Sequence, residues 1–371
     1  MSVRAATAQR SRRCGAPLTA AALAALSVSA AGADADLRSP SALPVVATAP
    51  APGTAAPAPG AVDAAAGDGG GRIYNGVLAP PGAAPWQAEI YREISGARWA
   101  QHLKDHPDET RPKWELEHWC GGALIGEYWV LTAAHCILVD EAVSDPLMKP
   151  EFAAQRATVT VSRSRQVSLS RCSAARLVID GFRIRLGAAD ISTGDGISFR
   201  IDCAVVHPGW APADMYHDDI ALVHFVPDGE VPARDPKRIR QVRLNDDPVI
   251  AEGTSVTITG WGKTAPVSGF APSARLMQVA LDVEAEPACV HQLGTAPGQV
   301  DSRVLCAGAP DRKTCLGDSG GPVVFTQGRP TLLVGVVSWG KVACTGDTKP
   351  GVYTRVAAYR PWIDDILGAP P

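Results

Sequence analysis

Three things are missing from this sequence. Beyond residue 31 no apolar run approaches the roughly 20 residues needed to cross a bilayer, so no membrane partner is expected. The cysteines lack a repeated CxxC spacing, which sets aside the common structural zinc sites. Charge of one sign is also lacking: 35 Lys and Arg face 38 Asp and Glu, a formal net charge of −3. Removing the arginine-bearing start makes the remainder more acidic still, which speaks against nucleic acid, whose phosphates are held by basic patches. What is present is apolar bulk. At 46% hydrophobic over 371 residues the chain can bury a sizeable core, and only its N-terminal part is poor in large apolar side chains.

The beginning carries an address. Arg4, Arg10, Arg12 and Arg13 precede an apolar Ala, Leu and Val run over residues 16–31, and Ala31-Gly-Ala33 supplies small residues for cleavage. This is the layout of a secretory signal peptide over residues 1–33. Residues 34–72 are mostly Ala, Pro and Gly, a composition that reads as a flexible propeptide or linker. The expected setting is secreted or periplasmic. Of nine cysteines, Cys14 leaves with the leader, and the even remainder suits disulfides in an exported protein.

From residue 73 onward, short β-branched and aromatic runs alternate with Gly, Pro and Asp turns, at 87–91, 128–132, 157–161, 182–186, 220–225, 255–259, 332–339 and 352–356. That rhythm predicts an all-β protein. One helix is predicted, over 359–367, where Trp362, Ile363, Ile366 and Leu367 fall at helical spacing. Two segments, 95–119 and about 137–179, are expected as surface loops, since loops tolerate insertion. In the first, His102, His106 and His118 sit among Asp105, Asp108, Glu109, Glu115 and Glu117, so a metal site is conceivable. A solvated charged loop is the preferred reading, with no metal and no cofactor.

The chemistry is written in residues 313–322, KTCLGDSGGP, where Ser319 stands between glycines that leave its hydroxyl and the neighbouring N–H groups uncovered. A serine hydroxyl needs a base to take its proton and preorganised donors for the oxyanion it creates. Residues 131–136, LTAAHC, offer His135, and residues 217–223, HDDIALV, offer Asp219 leading into an apolar run. Asp218 also adjoins that position, but successive strand residues face opposite sides, and Asp218 is read as a surface charge.

The order His, Asp, Ser and the segments TAAHC, DIALV and GDSGGP resemble the trypsin and chymotrypsin family of serine endopeptidases. Residues 72–76 (RIYNG), 120–125 (CGGALI), 259–264 (TGWGKT), 337–340 (VSWG) and 350–356 (PGVYTRV) are similar to further segments of that family, over about 73–367. The resemblance implies two six-stranded antiparallel β-barrels with a C-terminal helix, the N-terminal barrel over about 73–235 and the C-terminal one over about 236–371. It implies Ser319 as nucleophile, His135 as base, Asp219 as its orienter, and the N–H groups of Gly317 and Ser319 as oxyanion donors. It implies disulfides Cys120 to Cys136, Cys289 to Cys306 and Cys315 to Cys344; Cys172 and Cys203 remain and pair by elimination.

The resemblance also implies a zymogen, in which cleavage after Arg72 frees Ile73 to insert beside Asp318. Asn75 departs from the usual glycine there but tolerates a positive φ. Ser338, Trp339, Gly340 and Gly351 resemble the walls of the primary specificity pocket, with Lys313 at its base where trypsin-like members carry an aspartate. Three readings of Lys313 stay open: it selects Asp or Glu before the scissile bond; Asp311 or Asp347 neutralises it, favouring smaller or uncharged residues; or it bends toward solvent. The expected partners are a peptide or protein substrate and an activating protease, on a monomer. The competing function is a catalytically silent binding module that keeps the fold and recognises through its inserted loops.

Overall fold

The computed structural model describes residues 73, 75–137, 181–211, 217–229, 235–263, 272–296, 298–328, 330–340 and 349–368. The signal peptide, the propeptide, the 157–161 strand and the second insertion all fall outside them.

Strand β1 (Val77–Leu78) is followed by β2 (Gln87–Arg92), helices α1 (Gly96–Asp105) and α2 (Lys113–Glu117), then β3 (His118–Leu124), β4 (Trp129–Thr132), β5 (Phe182–Leu186), β6 (Ile197–Val206) and β7 (Ala221–Val226). Strands β2 to β7 close an antiparallel barrel in the order β2, β3, β4, β7, β6, β5. The second half comprises β8 (Arg243–Leu244), β9 (Ser255–Gly260), β10 (Met277–Glu284), α3 (Glu286–Leu293), β11 (Val304–Gly308), β12 (Pro322–Phe325), β13 (Leu332–Gly340), β14 (Gly351–Arg355) and α4 (Arg360–Leu367). Here β9, β12, β13, β14, β11 and β10 form the second ring, which the β10 to β9 pairing closes.

Alternation builds the walls. In β10, Met277, Val279, Leu281 and Val283 point inward while the residues between them reach outward, the two-residue period of a strand with one buried face. The two halves also exchange their ends. Strand β1 pairs with β10 of the second barrel, whereas Ile363 and Ile366 of α4 join the apolar cluster that holds Ile184, Leu222 and Phe225 of the first. The His207 ring at the end of β6 meets Tyr359 and Trp362 edge-on, at 5.0 and 5.1 Å between centroids.

Three helices go beyond the single one predicted. Segment 95–119 is not a solvated charged loop: Ser95 Oγ accepts the Arg98 N–H to cap α1, and Ile94, Leu116 and Trp99 form a small core of their own. Some of its charges are satisfied locally: Glu117 Oε1 accepts the Ile94 N–H at 2.9 Å and pairs with Lys113. A few apolar side chains suffice when polar neighbours satisfy the helix ends. Strand β6 was not predicted because Arg200 and Asp202 interrupt its apolar run; Asp202 sits at a bulge and pairs with His224 instead.

Candidate active site

His135 lies in a short 3-10 turn, Ala134–Cys136, immediately after β4, and the Cys120 to Cys136 disulfide fastens that turn to β3. Asp219 immediately precedes the apolar residues that enter β7. Register places the end of β4 against the start of β7, Thr132 opposite Ala221, and so brings the two side chains together.

Asp219 is 2% exposed. Its Oδ1 accepts the His135 backbone N–H at 2.9 Å, and its Oδ2 accepts His135 Nδ1–H at 2.8 Å and the Ser338 hydroxyl at 2.5 Å. Thr354 Oγ1 donates to its backbone carbonyl at 2.8 Å. Burial alone would raise the Asp219 pKa, but the facing imidazole and these donors outweigh it and hold the group below the ordinary aspartate value. The converse applies to His135: burial favours the neutral ring, Asp219 opposes it more strongly, and the pKa rises. Nδ1 is thereby fixed as the protonated nitrogen, leaving Nε2 for another partner.

The Cys136 sulfur lies 3.8 Å from that nitrogen, and His135 lines, with Ser319, a cavity of about 330 Å³. Among the described residues, Ser319 and His135 share this wall without a hydrogen bond between them. The Gly317 backbone has φ of 94°, in the left-handed region where a side chain would be strained, so glycine is required here by conformation. No internal hydrogen bond engages the N–H of Gly317 or Ser319 among the described residues.

Asp318, beside the serine, is fully buried. Its carboxylate accepts N–H groups from Gly262 at 2.9 Å and Cys315 at 2.8 Å. A Cβ on Gly260 or Gly262 would run into it, which accounts for both glycines of TGWGKT. Burial pushes its pKa up to about 6, against the pull of these donors and of His118. Ile73 is fully buried in the second barrel's core, and Asn75 takes a positive φ of 55° as expected. Arg72 lies outside the described residues.

Gly340 and Gly351 face each other across β13 and β14, alongside Ser338 and Trp339. Lys313 is 6% exposed, so it does not bend toward solvent. Burial, with Lys349 adding repulsion, lowers its pKa. Asp311 is surface-exposed and pairs with Arg312; Asp347 lies outside the described residues. Asp218 is likewise no surface charge, being held by the Tyr359 hydroxyl at 3.0 Å and Arg303 at 3.3 Å. The positive φ of Asp218 turns it away from Asp219 into this network. Cys289 and Cys306 are bonded, and Cys203 and Cys315 are also disulfide-bonded; Cys172 and Cys344, expected as their partners, lie outside the described residues.

Two residues that matter here were not singled out from the sequence for the site. His118 is buried, with Nδ1 3.0 Å from Glu89 Oε1 and Nε2 3.1 Å from the Gly317 carbonyl oxygen, linking β2 to the loop before Ser319. Glu89 also pairs with Arg185 at 2.9 Å. Glu89, set between Ala88 and Ile90 in β2, is the one trace of this link in the sequence.

A family model described as trypsin matches residues 73–171 and 167–363. Among solved structures the chain is similar to neuropsin, a serine protease expressed in the limbic system of mouse brain. The identity is 23%, the match covers 78% of this chain and 97% of that one, and the TM-score is 0.53.

Proposed function

Because the chain belongs to the trypsin family of serine proteases, we propose that it is an exported serine endopeptidase, made as a precursor, that cleaves peptide bonds through Ser319, His135 and Asp219. The observation that carries this reading is the His135 ring, anchored by Asp219 at Nδ1 and lining the same cavity as Ser319. Ser319 Oγ attacks the scissile carbonyl, His135 Nε2 takes its proton, and the same nitrogen returns it to the leaving amine. The N–H groups of Gly317 and Ser319 receive the oxyanion, each worth about 3 kcal/mol in the transition state. Water then hydrolyses the acyl-enzyme by the same steps in reverse.

Activation follows from Asp318. A buried carboxylate with no ion pair among the described residues is costly, and the amine released at Ile73 by cleavage after Arg72 supplies the missing cation. Lys313, buried where the resemblance puts the base of the pocket, is read as favouring Asp or Glu before the scissile bond; neutralised by an acidic neighbour, it favours smaller or uncharged residues instead. An enzyme with either preference does not cut after Arg72 efficiently, so a second protease activates it. The leader of residues 1–33 directs export.

Fluorophosphonate labelling of the protein cleaved after Arg72 tests the reading. Label on Ser319, abolished in Ser319→Ala, is the expected result. A correctly processed protein that takes no label and cleaves nothing in a broad peptide library is instead a binding module on a protease scaffold.

A further inference from the structure

The cavity beside Ser319 has a second wall that no requirement of the triad explains. The residues assigned to the pocket before the scissile bond, Lys313, Ser338, Trp339, Gly340 and Gly351, do not line it. His135, which on the protease reading hands its proton to the leaving amine, lines it. Its wall is furnished largely by segment 95–119: Arg111, Glu115 and Leu116 reach it from the turn before α2 and from α2 itself.

The lining is apolar with two charges. Leu116, Trp119 and the 46% exposed Leu316 supply the hydrophobic part. Arg111 is already committed: its Nε and Nη2 donate to the two oxygens of Glu109 at 2.9 and 2.6 Å. That pairing holds the Glu109 carboxyl well below the usual range, with help from His102. Glu115 is different. It is half-buried, and among the described residues its carboxylate has neither a hydrogen bond nor an ion pair. Burial pushes its pKa up, Arg111 pulls it down and Glu109 pushes it up again. With Arg111 spent on Glu109, the wall carries one carboxylate in excess, beside the apolar Leu116, Trp119 and Leu316.

On the protease reading, on which this rests, we infer that the cavity selects a lysine or arginine at the first or second position after the scissile bond. The methylenes lie along Leu116, Trp119 and Leu316, and the cationic head reaches Glu115. Long basic side chains suit a site of this kind because stem and head want different surroundings. Satisfying a half-buried carboxylate contributes more than an exposed pair would.

The test uses processed enzyme and internally quenched peptides identical except at those two positions, each carrying lysine, its uncharged isostere norleucine, or glutamate. Lysine is expected to exceed norleucine in kcat/KM by about tenfold at one position, with glutamate lowest. In Glu115→Gln the lysine peptide falls to the level of the norleucine peptide. Equal rates for lysine and norleucine in the wild type overturn the inference, and a preference for glutamate overturns it in favour of Arg111. Both outcomes leave the protease intact. Failure to cut any peptide, with no fluorophosphonate label, removes the protease reading itself and this inference with it.

Discussion

His135 meets Asp219 twice, through its backbone N–H to Oδ1 at 2.9 Å and through ring Nδ1 to Oδ2 at 2.8 Å. Asp219→Asn keeps the shape but presents an amide where the ring needs an acceptor, so Nδ1 loses its proton-holding partner. The expected cost is about 10⁴-fold in kcat. On the proposed mechanism His135 acts neutral, and its pKa is raised, so the acid limb of the kcat/KM profile is expected above the ordinary imidazole value of about 6.5. The stability linkage runs in two directions. The Asp219 contribution is present above its unfolded pKa and lost as pH falls through its lowered folded value; that of His135 is present below its unfolded pKa and lost as pH rises through its raised one. A pH–rate profile and imidazole NMR titration check both, and an acid limb below 6.5 would contradict the pairing.

Asp318 titrates in the opposite sense to most carboxylates. Its folded pKa of about 6 exceeds the ordinary 3.8, so the intact chain loses stability as pH rises between those values and holds constant above them. The shift corresponds to about 3 kcal/mol. Urea unfolding of uncleaved protein should therefore show Asp318→Asn gaining on wild type between pH 4 and 6.5. After cleavage at Arg72 the order reverses, because the variant cannot pair with the new amine. A difference between variant and wild type that ignores pH would mean the buried carboxyl is not strained.

Lys313→Asp should swing the residue preferred before the scissile bond from acidic to Lys and Arg, by about 10²-fold in relative kcat/KM. Lys313→Met should flatten the charge preference. Peptide-library profiling reads both, and an unchanged profile in either variant takes Lys313 out of the pocket.

The Cys289 to Cys306 disulfide closes a sequence separation of 17 and sits away from the cavity that Ser319 lines. Replacing both cysteines with alanine should cost about 3 kcal/mol in denaturant unfolding while kcat/KM at 25 °C stays within twofold. A large loss of activity in protein shown to be folded would tie this loop to the site.

Strands such as β7 and β13 were legible because burial over most of their length leaves few polar residues, His224 in one and Ser338 in the other, to confuse the apolar run. So was the pairing of His135 with Asp219, which the motifs imply through the family. Segment 95–119 was not legible. Its charges suggested solvent, and only the fold shows Glu117 pairing with Lys113 and Glu109 with Arg111 while Leu116 turns inward. Asp218 was misjudged for a related reason: a strand rule assigned it the outer face, but its positive φ puts it before the strand begins. Glu89 illustrates the limit, since a single carboxylate among apolar neighbours gives no hint that His118 and Arg185 will arrive from elsewhere to receive it.

The exchanged chain ends have a mechanical outcome. With Val77 and Leu78 stitched to one half and Ile363 and Ile366 buried in the other, neither half owns all of the polypeptide that completes it. Prying the halves apart means peeling a terminus from its host, so the groove that holds His135 on one side and Ser319 on the other resists gaping, and the two sides melt together or not at all.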